Sequence, residues 1–353
     1  MSRLIYCAVW VLLLSSCALR PTRVLETKMP ESQLQELRSE AQMEGTVILD
    51  TRTPLEFYAN KVPGSIQVEW KDFTMRLPGA EGVLDKEPLN ITRRLALWGI
   101  DQSTKVIVLG KIDDTKPEET ATFGRVAWML HEMGVQQVKT FNYEMFRREV
   151  PGLNEAPPKN KSMWMPIGEG KSEVMFDEFQ RMIFPFNYKF NFFTLKTRDE
   201  KVGLRVGRIK NVKIHYLDVR SEKEFLADSL KTRDADFQIH NIEWRQFYTQ
   251  EGIVNYSIKT QLEKLGIHEN DIVVCISNQG VRSGAVTFAL EQLGYGDAKN
   301  FSGGYNYLSN SLTLEKQINA VFFEKSKKKT RRKKYRSSKK STKSQKSKSK
   351  NKK

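Results

Sequence analysis

The chain of 353 residues has little cysteine and little histidine, three of one and four of the other. Three cysteines exclude a disulfide-rich scaffold and a four-cysteine zinc site, and four histidines argue against a His-rich metal centre. No apolar run reaches the roughly 20 residues that a membrane-spanning helix needs. The most apolar stretch, Leu4 to Leu14, stops after 11. Acidic residues are also absent from the C-terminus. Lys325 to Lys353 holds 17 Lys or Arg and no Asp or Glu, so the net charge of +16 belongs to that tail. The other 324 residues carry 41 basic and 42 acidic side chains, a balance of −1. A near-neutral body with one basic end removes the support for nucleic-acid binding by the protein as a whole.

The N-terminal segment has the layout of an export signal, with Arg3 ahead of an apolar run of signal-peptide length. The run closes on Leu14-Ser15-Ser16-Cys17, which resembles the lipobox of bacterial lipoproteins. That resemblance implies removal of the preceding residues, lipidation of Cys17 and attachment to a membrane. The alternative is an export signal with an incidental cysteine. Ala18 in place of an Asp favours the outer membrane over inner-membrane retention. With Cys7 removed and Cys17 lipidated, Cys275 is the one thiol left and no disulfide can form. The tail, 325–353, mixes basic residues with serines and has almost no apolar side chains, which predicts disorder. Anionic envelope polymers and lipid head groups are its expected partners, against the plainer reading of a solubilising tail.

The body repeats itself. Leu49-Asp50-Thr51-Arg52 through Glu56-Phe57 matches Leu217-Asp218-Val219-Arg220 through Glu224-Phe225. Glu69-Trp70-Lys71-Asp72-Phe73 matches Glu243-Trp244-Arg245-Gln246-Phe247, and Leu97-Trp98-Gly99-Ile100 matches Lys264-Leu265-Gly266-Ile267. The order is conserved, which predicts two similar domains, 30–150 and 195–320, joined by a Pro- and Gly-broken linker within 151–194. Each reads as α/β. Val47-Ile48-Leu49 and Val273-Val274 are predicted buried parallel strands. Helices are predicted over Gln33–Gln42, with Ser32 as cap, and over Val126–Met133 and Val286–Leu293, ended by Gly134 and Gly294. Strand–helix alternation implies doubly wound, mostly parallel sheets flanked by helices. Phe186, Tyr188, Phe190 and Phe192 alternate with polar residues. This predicts a strand with an aromatic face, packed between the domains or offered to a partner.

The repeated residues resemble the rhodanese family of sulfurtransferases in its tandem, two-domain form. Asp50 and Arg52, and Asp218 and Arg220, are its structural signature, with the carboxylate and guanidinium bracing a strand-to-helix turn. Glu56 and Glu224 are within sequence reach of the same arginines. The resemblance places catalysis on the loop after the fourth strand of the second domain. There a cysteine is followed five residues later by an arginine at a helix start. Loop amides and the helix N-terminus would depress the thiol pKa and cradle an anion such as thiosulfate or phosphate.

Here that loop is Ser277-Asn278-Gln279-Gly280-Val281-Arg282-Ser283. Counting back five from Arg282 reaches Ser277, not a cysteine, while Cys275 falls on the preceding strand. A serine hydroxyl ionises far less readily than a thiol and has no stable counterpart to a persulfide. The residues therefore favour a pseudoenzyme that binds a small oxyanion on Asn278 to Ser283. The alternative is an active sulfurtransferase with Cys275 as nucleophile in a longer loop. The first domain has Gly110 or Lys111 at the equivalent point, followed by an acidic loop. No cofactor and no metal are implied.

Overall fold

The structure is a computed structural model that describes residues 29–75, 79–112, 121–153, 161, 163–166, 172–183, 213–227 and 239–308. The segment ending at Cys17, the acidic loop, the aromatic alternation Phe186–Phe192 and the basic tail lie outside the described residues.

The first half runs α1 (Glu31–Gln42), β1 (Val47–Asp50), α2 (Pro54–Ala59), β2 (Ile66–Gln67), a 3-10 turn (Trp70–Phe73), α3 (Pro88–Leu97), β3 (Lys105–Gly110), α4 (Thr122–Glu132), β4 (Gln137–Asn142) and α5 (Tyr143–Glu149). Its four strands lie in the order β2-β1-β3-β4, all parallel. The second half runs β5 (Glu173–Val174), α6 (Phe176–Ile183), β6 (Ile214–Asp218), α7 (Glu222–Ala227), β7 (Ile239–Asn241), a 3-10 turn (Trp244–Phe247), α8 (Ile258–Lys264), β8 (Ile272–Ile276), α9 (Val281–Gln292) and β9 (Ala298–Phe301). Its order is β5-β9-β8-β6-β7, again parallel. The α/β class expected from the repeat is the observed one. The reason is visible in β1 and β8: their apolar runs are buried on both faces, as a parallel strand covered by helices requires.

Three local expectations change. Helix α1 begins after Pro30 with no side-chain cap, so Ser32 lies inside the first turn rather than at the cap. The helices expected from Val126 and Val286 begin earlier, at Thr122 and Val281, because the turns before them already have helical geometry. Both end at glycines with positive φ, Gly134 at 89° and Gly294 at 96°, where a left-handed residue closes a helix. Residues 173–183, placed in the linker by the sequence, join the second half instead. Glu173–Val174 pairs with β9, and Phe179 stacks on Phe301 with ring centroids 3.9 Å apart.

The halves share one core. Val47, Leu49 and Trp128 of the first half pack in the same buried cluster as Leu217, Trp244, Cys275 and Phe288 of the second. Helices α4 and α9 form the seam, and α9 is buried from Val281 through Leu290, which is why its sequence has no clean polar face. They approach closely because glycines stand at the crossing. A Cβ on Gly124 would lie 2.5 Å from the Ala285 Cβ, and one on Gly284 would lie 2.9 Å from Arg125 Cδ. Near the far end of the seam, His131 Nδ1 meets Glu291 Oε2 at 2.7 Å. Gly124→Val overpacks this crossing and is expected to lower stability by about 1–3 kcal/mol, read from the urea midpoint; an unchanged midpoint would show that the helices do not touch there.

Candidate functional site

The loop between β8 and α9 is built on two braces. In the first, Asp218 is fully buried at the end of β6. Its Oδ1 accepts the backbone N–H and Nε–H of Arg220, both at 3.0 Å, and its Oδ2 accepts Arg220 Nη2–H at 2.8 Å and the Tyr305 hydroxyl at 2.9 Å. The Arg220 guanidinium lies 3.7 Å over the Tyr305 ring. Burying both charges is tolerable because nearly every donor and acceptor is used. The first half repeats the device. Asp50 holds Arg52 in the same pattern, and Arg52 lies 3.1 Å over the Tyr143 ring.

The second brace centres on Glu224. Its Oε2 caps α7 by accepting from the backbone and hydroxyl of Ser221. The same carboxylate accepts Arg282 Nη1–H at 2.8 Å and Nη2–H at 2.9 Å, and Asn278 Nδ2–H at 3.0 Å. Burial pushes this carboxyl up, but Arg282 outweighs burial and holds it down at about 2. The guanidinium fork expected to face an anion is therefore occupied. Arg282 is bound bidentately by Glu224, with 4% of its side chain exposed. Glu56 makes the comparable cap with Thr53 but turns to Lys111, 3.5 Å away, rather than to Arg52.

The strand register settles which residue stands at the head of each loop. Asp218 pairs with Ile276 as Asp50 pairs with Leu109, so Ser277 and Gly110 are equivalent, and Asn278 corresponds to Lys111. Gly110 has no room for a side chain, since a Cβ there would lie 2.6 Å from the Phe123 Cβ. The first half therefore offers no reacting group at this point.

Ser277 is 1% exposed and its hydroxyl is fully committed. Ser283 N–H, in the first turn of α9, donates to Ser277 Oγ at 3.3 Å. The two hydroxyls lie 3.0 Å apart, and Ser283 Oγ–H donates to Asn300 Oδ1 at 2.7 Å. That leaves the Ser277 proton directed at Ser283. Asn300 Nδ2–H continues to the Gly280 carbonyl at 3.3 Å. The chain of donors ends on a carbonyl, and among the described residues no carboxylate or imidazole takes the Ser277 proton, so they supply no general base for an attacking oxygen.

Cys275 is on β8 between Leu217 and Asn300, two residues before the loop. It is fully buried in the shared core, and burial pushes its thiol up to about 12 against a weaker opposing hydrogen bond from Thr287. It lies outside the loop, and the reading that makes it the nucleophile loses its geometry.

The loop also depends on residues the sequence did not single out. Its backbone is held by Tyr305 N–H to the Ser277 carbonyl at 2.9 Å and Asn306 N–H to the Asn278 carbonyl at 3.0 Å. Gly280 is the left-handed cap of α9 at φ 74°, pressed so close to the Ser302 carbonyl that a Cβ would sit 2.0 Å from it. From the first half, Gly82 packs on the Gln279 and Ser302 carbonyls, where a Cβ would lie 1.9 and 2.1 Å away. Arg125 Nη2–H donates to the Gly82 carbonyl at 2.5 Å. Nothing local in the sequence marks Gly82 or Arg125 as neighbours of the loop.

Ser277→Ala would leave the buried Ser283 N–H without its acceptor. It is expected to lower stability by about 1–3 kcal/mol in urea unfolding, and an equal loss in a Ser277→Ala, Ser283→Ala double variant would confirm that the two hydroxyls act as a unit.

Comparison with known proteins agrees with the geometry. Residues 206–311 match the Rhodanese-like domain family. No curated protein matches the chain. Among solved structures, EanB in complex with hercynine is similar over 80% of this chain and 67% of its own, at 17% identity and a TM-score of 0.58. Wild-type EanB covers the same shares at 16% identity and a TM-score of 0.57. The anaerobic ergothioneine biosynthesis enzyme of Chlorobium limicola, in complex with trimethyl histidine, is similar over 80% of this chain and 68% of its own, at 16% identity and a TM-score of 0.57. Identities this low speak to the fold. The second half of this chain, over residues 206–311, is a rhodanese-like domain.

Proposed function

We propose that this protein is an exported, lipid-anchored chain of two rhodanese-like domains that has given up sulfur transfer. In this reading it serves as a binding module, with the loop from Asn278 to Ser283 as its ligand site. The observation that carries the reading is the Ser277 hydroxyl, buried and tied to Ser283, where a sulfur-transferring loop needs a thiolate. With Arg282 neutralised by Glu224, a small oxyanion such as thiosulfate or phosphate would be held by loop amides and the N-terminus of α9.

The test is a thiosulfate:cyanide assay on the full chain with Cys7→Ser and Cys17→Ser. No turnover is expected, and robust turnover abolished by Cys275→Ala would overturn the reading.

The lipid anchor rests on Leu14-Ser15-Ser16-Cys17 and the envelope tether on the basic tail. Cys17→Ala is expected to release the protein from the membrane fraction at high salt but not at low salt. Truncation after Glu324 in that background should abolish the low-salt retention, because a polybasic contact weakens as ions screen it. Unchanged fractionation in both variants would rule out both attachments.

A further inference from the structure

The seam between the halves carries charged groups for which the loop chemistry has no use. On α4, His131 Nδ1 meets Glu291 Oε2 of α9 at 2.7 Å, and the His131 ring packs edge-on against Phe288. The next residue, Glu132, is largely buried. Its Oε1 accepts Ser172 N–H at 3.1 Å and the Ser172 hydroxyl, while its Oε2 has no partner among the described residues. Ser172 Oγ also accepts Trp128 Nε1–H at 2.8 Å, and the Ser172 carbonyl accepts Asn300 N–H at 2.6 Å. Glu132 thus fastens α4 to the strand edge that belongs to the second sheet. Glu173 completes the fastening from the other side, its Oε1 accepting Leu84 N–H at 3.0 Å.

These contacts lie beside the loop. Leu84 is two residues from Gly82, whose backbone rests on the Gln279 and Ser302 carbonyls and is held there by Arg125. Arg125 is fully buried, 4.2 Å over the Trp128 ring, with its Nη1 unpartnered among the described residues. One set of groups therefore ties the halves together and presses a first-half strap onto the second-half loop.

We propose that this seam is an acid-closed lock, in which a proton on Glu132 and the charged His131–Glu291 pair hold the Gly82 strap against the Gln279–Ser302 face of the loop, and loss of those protons frees it. The consequence for ligand access rests on the loop's being the binding site; the lock itself does not.

The groups facing Glu132 are Glu291 from α9, Glu173 from β5, and His131 and Arg125 from α4 itself; Tyr248, from the turn before α8, is buried close to Glu291. Burial raises the Glu132 carboxyl to about 7, with Glu291 and Glu173 adding to the rise and the Ser172 hydrogen bonds opposing it. His131 is raised by its hydrogen bond to Glu291 against the effect of burial. Both groups bind protons more tightly with the seam closed than in water. Closure is therefore fully supported at low pH. The Glu132 share is lost as pH rises from 4.5 toward about 7, and the His131 share is lost above its ordinary 6.5. Arg125 moderates this by attracting the ionised carboxylate, but burial lowers Arg125 itself to about 10, so it stays charged throughout this range. Each proton released on opening shifts the equilibrium by up to about tenfold per pH unit.

Cys275 reports on the lock because its side chain lies in the core that the seam covers. In the full chain with Cys7→Ser and Cys17→Ser it is the one remaining thiol. Its labelling by a disulfide reagent is measured native and denatured at pH 6 and pH 8, and the ratio of the two rates cancels the reagent's own pH dependence. Protection is expected to fall about tenfold or more between pH 6 and pH 8, with labelling at pH 8 faster than global unfolding allows. Glu132→Gln keeps an acceptor for Ser172 and stays neutral, so it should lose the Glu132 share of the pH dependence and keep only that of His131. His131→Asn should lose part of the pH dependence if the first variant does not fold. Wild-type protection that is equal at pH 6 and pH 8, or that only tracks global unfolding, would overturn the proposal. So would a Glu132→Gln variant with the wild-type pH dependence. No sulfur-transfer result bears on these readings, so failure of the lock and failure of the proposed function are separable.

Discussion

Everything in this structure leans on the contact between α4 and α9. Two helices buried nearly all round can meet closely only if their backbones approach, and Gly124 and Gly284 remove the side chains that would hold them apart. The approach joins a four-stranded and a five-stranded sheet through one shared core, beside a separate cluster that each half keeps for itself. It also brings Arg125 and Gly82 of the first half against the loop of the second. The loop's shape is thus a property of the pair.

Around that seam the duplicated Asp-x-Arg device does the same mechanical job twice. A buried carboxylate takes three donors from the arginine two residues on, and a tyrosine ring covers the guanidinium. The scaffold needs this turn whether or not chemistry occurs beyond it, so the motif tracks fold more closely than activity. What differs is the residue that the scaffold presents at the head of each loop. In the first half it is Gly110, against Phe123. In the second it is Ser277, which accepts from the Ser283 N–H at the start of α9 and donates its own O–H to Ser283 Oγ. A neutral hydroxyl there meets one of the otherwise unpaired N–H groups at the helix start.

Much of this was legible in the sequence. The ordered repeats announced two α/β halves, the β-branched runs announced parallel strands, and the spacing from Arg282 put Ser277 at the loop head and Cys275 back on the strand. These are short-range facts: a period of two places a side chain on one face of a strand, and a helix start is written within a few residues. The misreadings have equally physical causes. Ser32 was expected to cap a helix that begins one turn ahead of its first apolar residues. Glu173–Val174 looked like linker because an edge strand of two residues leaves no periodic signal. Arg282 was expected to face an anion because its sequence neighbours do not include Glu224, which reaches it from 58 residues away.

The amino-acid sequence by itself determined the α/β class, the repeated motifs, the basic tail and the absence of a thiol at the loop head, since each is set by residue identity and local spacing. Only the tertiary structure decided that Arg282 is already neutralised, that the Ser277 proton runs to Ser283, and that Gly82 and Arg125 of one half lie on the loop of the other. Those outcomes depend on which distant segments the shared core brings together. That choice is made by packing two buried helices through their glycines, and it leaves no mark on neighbouring positions in the chain.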